Sequence, residues 1–376
     1  MWAHDLHQIS IHKSKTIYDY DLISVIGKGG YGKVMLCRDK YKKSDALLET
    51  DSSNDKMKLY AIKTVHKKKL IRDNKVNLIF NEKSVLEKCK HPFIVKIYDS
   101  FQSNTKFYIV MEYVSGGELF RLIDQKIRIP LNDVRIYVAE IASALIYLHS
   151  MNIIYRDLKP ENILINNDGH IKIADFGLVK DIKESHTTST FCGTLDYIAP
   201  EIVMNKSYDS TVDWWALGIL TFELIFGYTP FHDENEVKMY ENIVTQKPIF
   251  PPGTDPYIIS FISELLRKDP NRRLKYAKMI KHPFFNGIDM CDIYNKRIHP
   301  SFIPNLFNDA QNGISNFDTY FTSMTAQDSL ATPVSGNFEG FSMSNNPEKI
   351  GTNSSKSSIL ATEMPIDIPD IEIPRY

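Results

Sequence analysis

The sequence predicts an α+β chain in which a small β-rich part precedes a larger helical part. Two patterns predict it. Residues 20–26, 33–37, 59–65 and 107–111 are rich in β-branched and aromatic residues with the alternation of half-buried strands. From Pro130 to Phe285 the apolar residues recur mostly at helical spacing instead, as in Val134 to His149 and Trp214 to Phe226.

Taken in order, residues 1–19 are polar and read as a loose N-terminal arm. The strands at 20–26 and 33–37 follow, and the polar, charged stretch 41–58 reads as a surface loop inserted before the strand at 59–65. Val76, Ile79 and Leu86 place one helix within 74–89, ahead of the strand at 107–111. The helical region runs to His282-Pro-Phe-Phe285 and is interrupted by loops holding Asp-Leu-Lys-Pro-Glu-Asn and Asp-Phe-Gly. Residues 286–345 are loop-like with isolated aromatics, as expected of a tail laid on a finished domain. Residues 346–376 are dominated by polar residues and Pro-Ile-Asp-Ile-Pro, a composition that cannot bury enough apolar surface to order itself.

Composition limits the function classes. With 376 residues and 43% hydrophobic content the chain can bury a large core, which excludes global disorder. Forty-five basic and 46 acidic side chains give a formal net charge of -1, so no whole-molecule field attracts nucleic acid or a membrane surface. Cys37, Cys89, Cys192 and Cys291 lie far apart without a CxxC pair, which suits reduced thiols in the cytoplasm or nucleus. The longest apolar stretch, Trp214 to Phe226, is too short to span a bilayer and contains Glu223. The N-terminus lacks the apolar run of a secretory signal.

The residues that carry chemistry lie between these elements. Gly27-Lys-Gly-Gly-Tyr-Gly-Lys-Val34 sits between two strands, so it fits a glycine-rich flap whose backbone can approach phosphates without Cβ clashes. Its strand context argues against a dinucleotide fingerprint, which opens a helix. Lys63, in Ala61-Ile-Lys on the next strand, can hold α- and β-phosphates. Glu82 on the following helix can pair with Lys63, whereas Glu87 falls off the Glu82/Leu86 face. Tyr155-Arg-Asp-Leu-Lys-Pro-Glu-Asn162 is the most specific signal. Asp157 can accept a hydroxyl proton, Lys159 can neutralise a γ-phosphate in transfer, Asn162 can bind magnesium through its amide oxygen, and Asp175 of Asp-Phe-Gly177 can hold the metal bridging the phosphates. Phosphoryl transfer needs alignment and charge cancellation more than covalent work, and each part required is present.

These residues resemble the eukaryotic protein kinases over roughly 20–285, with Ala199-Pro-Glu201 closing the activation segment. The resemblance implies a two-lobed fold, with an N-lobe over 20–113 and a C-lobe over 114–285, and an ATP- and Mg2+-dependent enzyme. It makes Ile26, Gly27, Lys28, Gly29, Gly30, Tyr31, Gly32, Lys33, Val34, Ala61, Lys63, Glu82, Met111, Glu112 and Glu118 candidate nucleotide-site residues. Lys159 followed by Pro160 and Glu161, with Thr194 after Gly193, is similar to the serine/threonine class. Tyr155-Arg-Asp, Asp213-Trp-Trp-Ala-Leu-Gly218 and a tail with Asn316-Phe-Asp318 and Phe338-Glu-Gly-Phe341-Ser342 resemble the AGC group. Within it, the flap, Thr190-Phe-Cys-Gly-Thr194 and Phe321 to Ser329 most resemble the ribosomal S6 kinases and their 90-kDa relatives, with protein kinase B-like enzymes second.

The same resemblance implies regulation and substrate choice. Thr190 matches the activation-loop phosphosite, with Arg156 and Lys180 as partners for the phosphate. The family often adds a histidine from the regulatory helix, but Leu78 stands there. Phe338 and Phe341 would enter an apolar groove beside the Glu82 helix when Ser342 is phosphorylated, and an upstream kinase would dock at this motif. Ser329 and Thr332 both remain candidates for the turn-type phosphosite. Glu118, Glu161 and Glu223 match positions that bind arginines upstream of the acceptor Ser or Thr. Alternatively, Glu118 serves only the ATP ribose and Glu223 is an internal helix partner. Glu201 and Arg273 resemble the pair that anchors the activation segment to the helical lobe. The implied partners are basic protein substrates and no nucleic acid, the implied state is a monomer, and the rival class is a non-catalytic scaffold.

Overall fold

A computed structural model describes residues 15–41, 58–125, 127–183, 187–304, 314–334, 336 and 338–343. Most of the expected inserted loop and all of residues 346–376 lie outside these. β1 (Tyr20–Lys28), β2 (Gly32–Asp39), β3 (Leu59–His66), β4 (Ile97–Gln102) and β5 (Lys106–Glu112) form one antiparallel sheet in the order β1-β2-β3-β5-β4. Two helices, α1 (Lys67–Arg72) and α2 (Val76–Lys88), connect β3 to β4.

The register of this sheet aims the chemistry. Lys63 pairs with Val34 on one side and Ile109 on the other, so it is held centrally beneath the flap. Gly32 pairs with Val65, and a Cβ on Gly32 would stand 1.6 Å from the Thr64 carbonyl oxygen. Only glycine permits that approach. Gly29 and Gly30 have nothing within 4 Å of a would-be Cβ, so packing within the chain does not explain them.

The second lobe is built on α4 (Leu131–Ser150) and α6 (Thr211–Phe226), which pack against each other. Thirteen residues of α4 and twelve of α6 are buried, as expected of central helices that are apolar around most of their circumference. Gly227, at φ 83°, ends α6 in a left-handed cap. Smaller helices surround this pair: α3 (Phe120–Asp124), α5 (Pro200–Val203), α7 (Glu236–Thr245), α8 (Pro256–Leu265), α9 (Tyr276–Met279) and α10 (Met290–Tyr294). Their starts are legible locally. Asn235 caps α7 by accepting from the Val237 and Lys238 amides, and Asp255 caps α8 ahead of Pro256. The short strands β6 (Ile153–Ile154) with β9 (Lys180–Asp181), and β7 (Ile163–Ile165) with β8 (Ile171–Ile173), frame the loops facing the sheet. The chain is therefore two-lobed.

The tail returns to the first lobe. Phe317 stacks on Tyr113 at a centroid distance of 6.0 Å, and α11 (Thr319–Thr322) packs on β1. Phe341 is fully buried, 4.4 Å from Phe107 and 5.3 Å from Phe80 of α2, while Phe338 lies 5.2 Å from Phe107. Polar bonds fix this segment: Lys83 Nζ donates to the Gly340 carbonyl at 3.0 Å, Gln102 Nε2 to that of Phe338 at 2.9 Å, and Ser100 Oγ to that of Phe341 at 2.8 Å. Phe341→Ala is expected to weaken docking of residues 338–343 by about 3–5 kcal/mol, the usual cost of truncating a buried phenylalanine. Faster hydrogen exchange at the Met343 amide, which donates to the Ser100 carbonyl, would register it.

Candidate active site

A cavity of about 440 Å³ lies between the lobes. Ile26 through Val34, Ala61, Lys63, Glu82, Met111, Glu112, Glu118, Asp157, Glu161, Asn162 and Asp175 all line it. The structure thus brings these candidates together around one cavity. Residues the sequence did not select include Lys75, Ile79, Val114, Leu164 and Ala174. Phe317 also reaches this cavity, so the tail contributes to its wall.

Lys63 is the centre of one cluster. Its Nζ lies 2.6 Å from Glu82 Oε1 and 2.9 Å from Asp175 Oδ1. Burial alone would lower the ammonium, but Asp175 and Glu82 hold it above its ordinary value. The Lys63 charge pulls the Asp175 carboxyl below the usual range, whereas burial raises that of Glu82 despite Lys63. Glu87 pairs with Lys83 at 3.0 Å, four residues back on the same helix. It takes no part in this cluster.

Asp157 is the centre of the other. Asn162 Nδ2 donates to Asp157 Oδ2 at 2.8 Å and to its carbonyl at 2.7 Å, and Lys159 Nζ stands 3.5 Å from Oδ1. Burial raises the Asp157 carboxyl, opposed by Lys159 and Asn162. Lys159 also donates to Thr194 Oγ1 at 2.9 Å, which ties the activation segment to this loop. Two non-glycine residues here, Arg156 (φ 69°) and Asp175 (φ 50°), occupy left-handed backbone, a strain of order 1–3 kcal/mol that neighbours must offset.

The group that holds Arg156 was not legible as such in the sequence. Asp213, fully buried on α6, accepts from the Tyr155 amide at 2.9 Å, the Arg156 amide at 2.8 Å and His149 Nε2 at 2.8 Å. Its presence in Asp-Trp-Trp two residues after Thr211 was a family signature, not a geometric one.

The remaining candidates fall in four places. Glu118, Glu161 and Glu223 form an acidic cluster: burial, then Glu161 and Asp318, pushes the Glu118 carboxyl up to about 7. Burial, together with Glu161 and Asp196, pushes Glu223 up to about 7 against the hydrogen bond it accepts from the Tyr197 hydroxyl. Glu161 Oε2 is buried with no hydrogen-bonding partner among the described residues. The Glu112 carboxylate is engaged by Lys172 at 2.8 Å, and its amide donates to the Lys96 carbonyl at 2.8 Å. Thr190 is exposed, and its carbonyl accepts from Tyr208, whose hydroxyl is 3.2 Å from Arg156 Nη1. In the tail, Ser329 Oγ lies 3.3 Å from Lys106 Nζ, which is also paired with Asp328, while Thr332 and Ser342 are exposed. All four cysteines are free.

A fold in which a lysine of the sheet pairs with a glutamate of helix α2 over an Asp-Lys-Asn loop defines a protein kinase, and the chain belongs to that family: the protein kinase domain family matches residues 20–285. More particularly, it is a serine/threonine protein kinase of the AGC group, similar to Serine/threonine-protein kinase Sgk2 of Homo sapiens, at 41% identity over 318 residues, 83% of this chain and 82% of that protein. It is also similar to Serine/threonine protein kinase ypkA of Aspergillus fumigatus, at 42% over 324 residues, 84% of this chain but only 48% of that protein. A third relative is the RAC family serine/threonine-protein kinase homolog of Dictyostelium discoideum, at 38% over 334 residues, 86% of this chain and 72% of that protein. The ribosomal S6 kinase branch expected from the short motifs is not supported; the likeness is to the Sgk kinases. Among the described residues no helix is long and apolar enough to cross a membrane.

Proposed function

We propose that this chain transfers the γ-phosphate of ATP to serine or threonine in protein substrates with upstream arginines. The observation that carries the reading is that Lys63, Glu82, Asp157, Asn162 and Asp175 face one cavity whose roof, at Gly29 and Gly30, is left open by the chain's own packing. Such a roof accepts phosphate oxygens where a Cβ would otherwise project. In this reading Lys63 holds the α- and β-phosphates, Asp157 accepts the hydroxyl proton, and Lys159 neutralises the phosphoryl group in transfer. The donor set of Asp175 and the Asn162 amide oxygen suits Mg2+, a hard cation that takes a few protein oxygens and completes its shell with water and phosphate. Bound there, magnesium would cancel phosphate charge.

The acidic cluster supports the arginine preference. Glu161 raises the proton affinity of both Glu118 and Glu223 and carries an orphan buried oxygen, so a guanidinium that pairs with this cluster would be stabilising. Because Glu118 and Glu223 sit near 7 in the free protein, they are largely protonated at pH 6 and ionised at pH 8. The kcat/KM ratio of an arginine-bearing serine peptide to its alanine counterpart is therefore expected to rise about three- to tenfold over that interval. Equal rates on both peptides at pH 8 would remove the proposed substrate class. Lys63→Met supplies the background.

Activation by phosphorylation is the second part of the proposal. A phosphate on exposed Thr190 would join the Tyr208–Arg156 chain of contacts that leads to the Asp157 loop. Phe341 packs on Phe80 of α2, and Lys83 of α2 donates to the Gly340 carbonyl, so this segment braces the helix that carries Glu82, which supports control by Ser342 and docking of an upstream kinase at this motif. The Lys106 ammonium beside Ser329 favours that residue over Thr332 as the turn-type site.

A further inference from the structure

We infer that Tyr31 is a positioning residue whose side chain, with Lys75, latches the glycine-rich flap to the segment leading into α2, and that this latch sets how firmly the nucleotide is retained. The inference rests on the kinase reading of the cleft.

A glycine-rich hairpin tip has little side-chain packing of its own and opens readily unless something else holds it. Gly29 and Gly30 are exposed and touch nothing at their would-be Cβ positions. Tyr31 differs: it is partly buried and packs against the main core cluster. Its carbonyl accepts from the His66 amide at 2.9 Å, and the neighbouring Gly30 carbonyl accepts from Lys69 Nζ at 3.1 Å. Lys75 Nζ lies 5.5 Å from the Tyr31 ring centroid, within the range of cation–aromatic attraction. The Tyr31 hydroxyl is the first cause raising the Lys75 ammonium above its ordinary value. Asp73, held below its ordinary range chiefly by Arg72, also responds to Tyr31 and Lys75. These polar and cation–aromatic contacts of Gly30 and Tyr31 thus all come from residues 66–75.

That segment continues directly into α2, which carries Glu82, and Lys75 itself lines the cavity. Flap position and Glu82 position therefore share one support. Leu78, where the sequence lacks the histidine expected to link α2 to the activation loop, lines the same cavity and offers no charge. Lys69, Asp73 and Lys75 are exposed, so each contact is weak and separately breakable. A latch of this kind slows release of nucleotide without locking the flap, as a lid that must open in every turnover requires.

The test is a double-mutant cycle of Tyr31→Leu, which removes the ring that Lys75 faces, and Lys75→Met in the full chain, with ADP dissociation, KM for ATP and hydrogen exchange of residues 29–32 as readouts. Each single variant is expected to speed ADP release and raise the ATP KM about three- to tenfold, more than it changes kcat. The double variant is expected to match the stronger single one, and Lys75→Arg to restore retention. Amide exchange at 29–32 should rise in nucleotide-free protein as well. Full additivity would mean that Lys75 acts on the nucleotide directly, and would overturn the latch, as would unchanged exchange in both variants. If wild type transfers no more phosphate than Lys63→Met, the kinase reading fails, and the exchange data still decide whether the latch exists.

Discussion

Asp157→Ala is expected to lower kcat on a serine peptide by roughly 10²–10⁴, the range for removing a positioned general base. The melting temperature should change little, and nucleotide affinity should persist. Asp157 is held by Asn162 through two hydrogen bonds, so its carboxylate has one orientation, and Lys159 and Thr194 stand at its other oxygen. Burial works against its charge and raises the carboxyl, with Lys159 and Asn162 opposing that shift, so the group is poorly solvated. Such a group accepts a proton more readily than one in water. Among the described residues Lys63 bonds to Glu82 and Asp175 and not to Asp157, so nucleotide affinity is expected to depend on Asp157 much less than kcat does. A fluorescent nucleotide titration beside steady-state kinetics separates the two effects. An Asp157→Ala enzyme with wild-type kcat would refute the assigned chemistry.

What the sequence made legible was the part governed by strict local rules. Lys63 and Asp175 are 112 positions apart, yet each was recognisable because its neighbours are constrained by strand pairing or by a loop that must bring several donors together. The glycine flap was readable for a similar reason, since at Gly32 the fold admits no side chain. Less was legible where three-dimensional packing decides. Helix α1 begins Lys67-Lys-Lys, without apolar periodicity, because Lys67 is buried by long-range partners: it reaches Gln102 and the Ser103 carbonyl and stands over the Phe107 and Phe338 rings. Strand β4 is broken by a bulge between Ile97 and Asp99, which spoils its alternation. The strands β6 to β9 are two or three residues long, too short to carry a period. Val114 and Leu164 become cavity walls only once the lobes meet. The S6 kinase branch was a misreading of another kind: phosphosite motifs of a few residues are shared within the group, and likeness over more than 300 residues discriminates better.

Arg273→Ala is expected to cost about 3–5 kcal/mol of stability, the second large effect. Arg273 and Glu201 are 2% and 3% exposed and meet through two parallel bonds, Nη1 to Oε1 at 2.7 Å and Nη2 to Oε2 at 2.9 Å. Arg273 further donates to the Thr211 carbonyl at 2.8 Å and to that of Arg267 at 3.2 Å, and its guanidinium lies 5.3 Å from the Trp215 ring. Removing it therefore leaves a buried carboxylate and two carbonyls without their donor, at the junction of α5, the start of α6 and the segment after α8. A fall in melting temperature on the order of 10 °C would follow for a unit of this size. The cause can be isolated, because most of that loss comes from the stranded charge and not from the bond itself. In the double variant Glu201→Leu with Arg273→Met the charge is gone and the volume is largely kept, so much of the stability should return. Recovery of melting temperature without recovery of activity would show that the pair acts on the activation segment beyond holding the lobe together, since Glu201, in the first turn of α5, lies only seven residues after Thr194, the residue bound to Lys159.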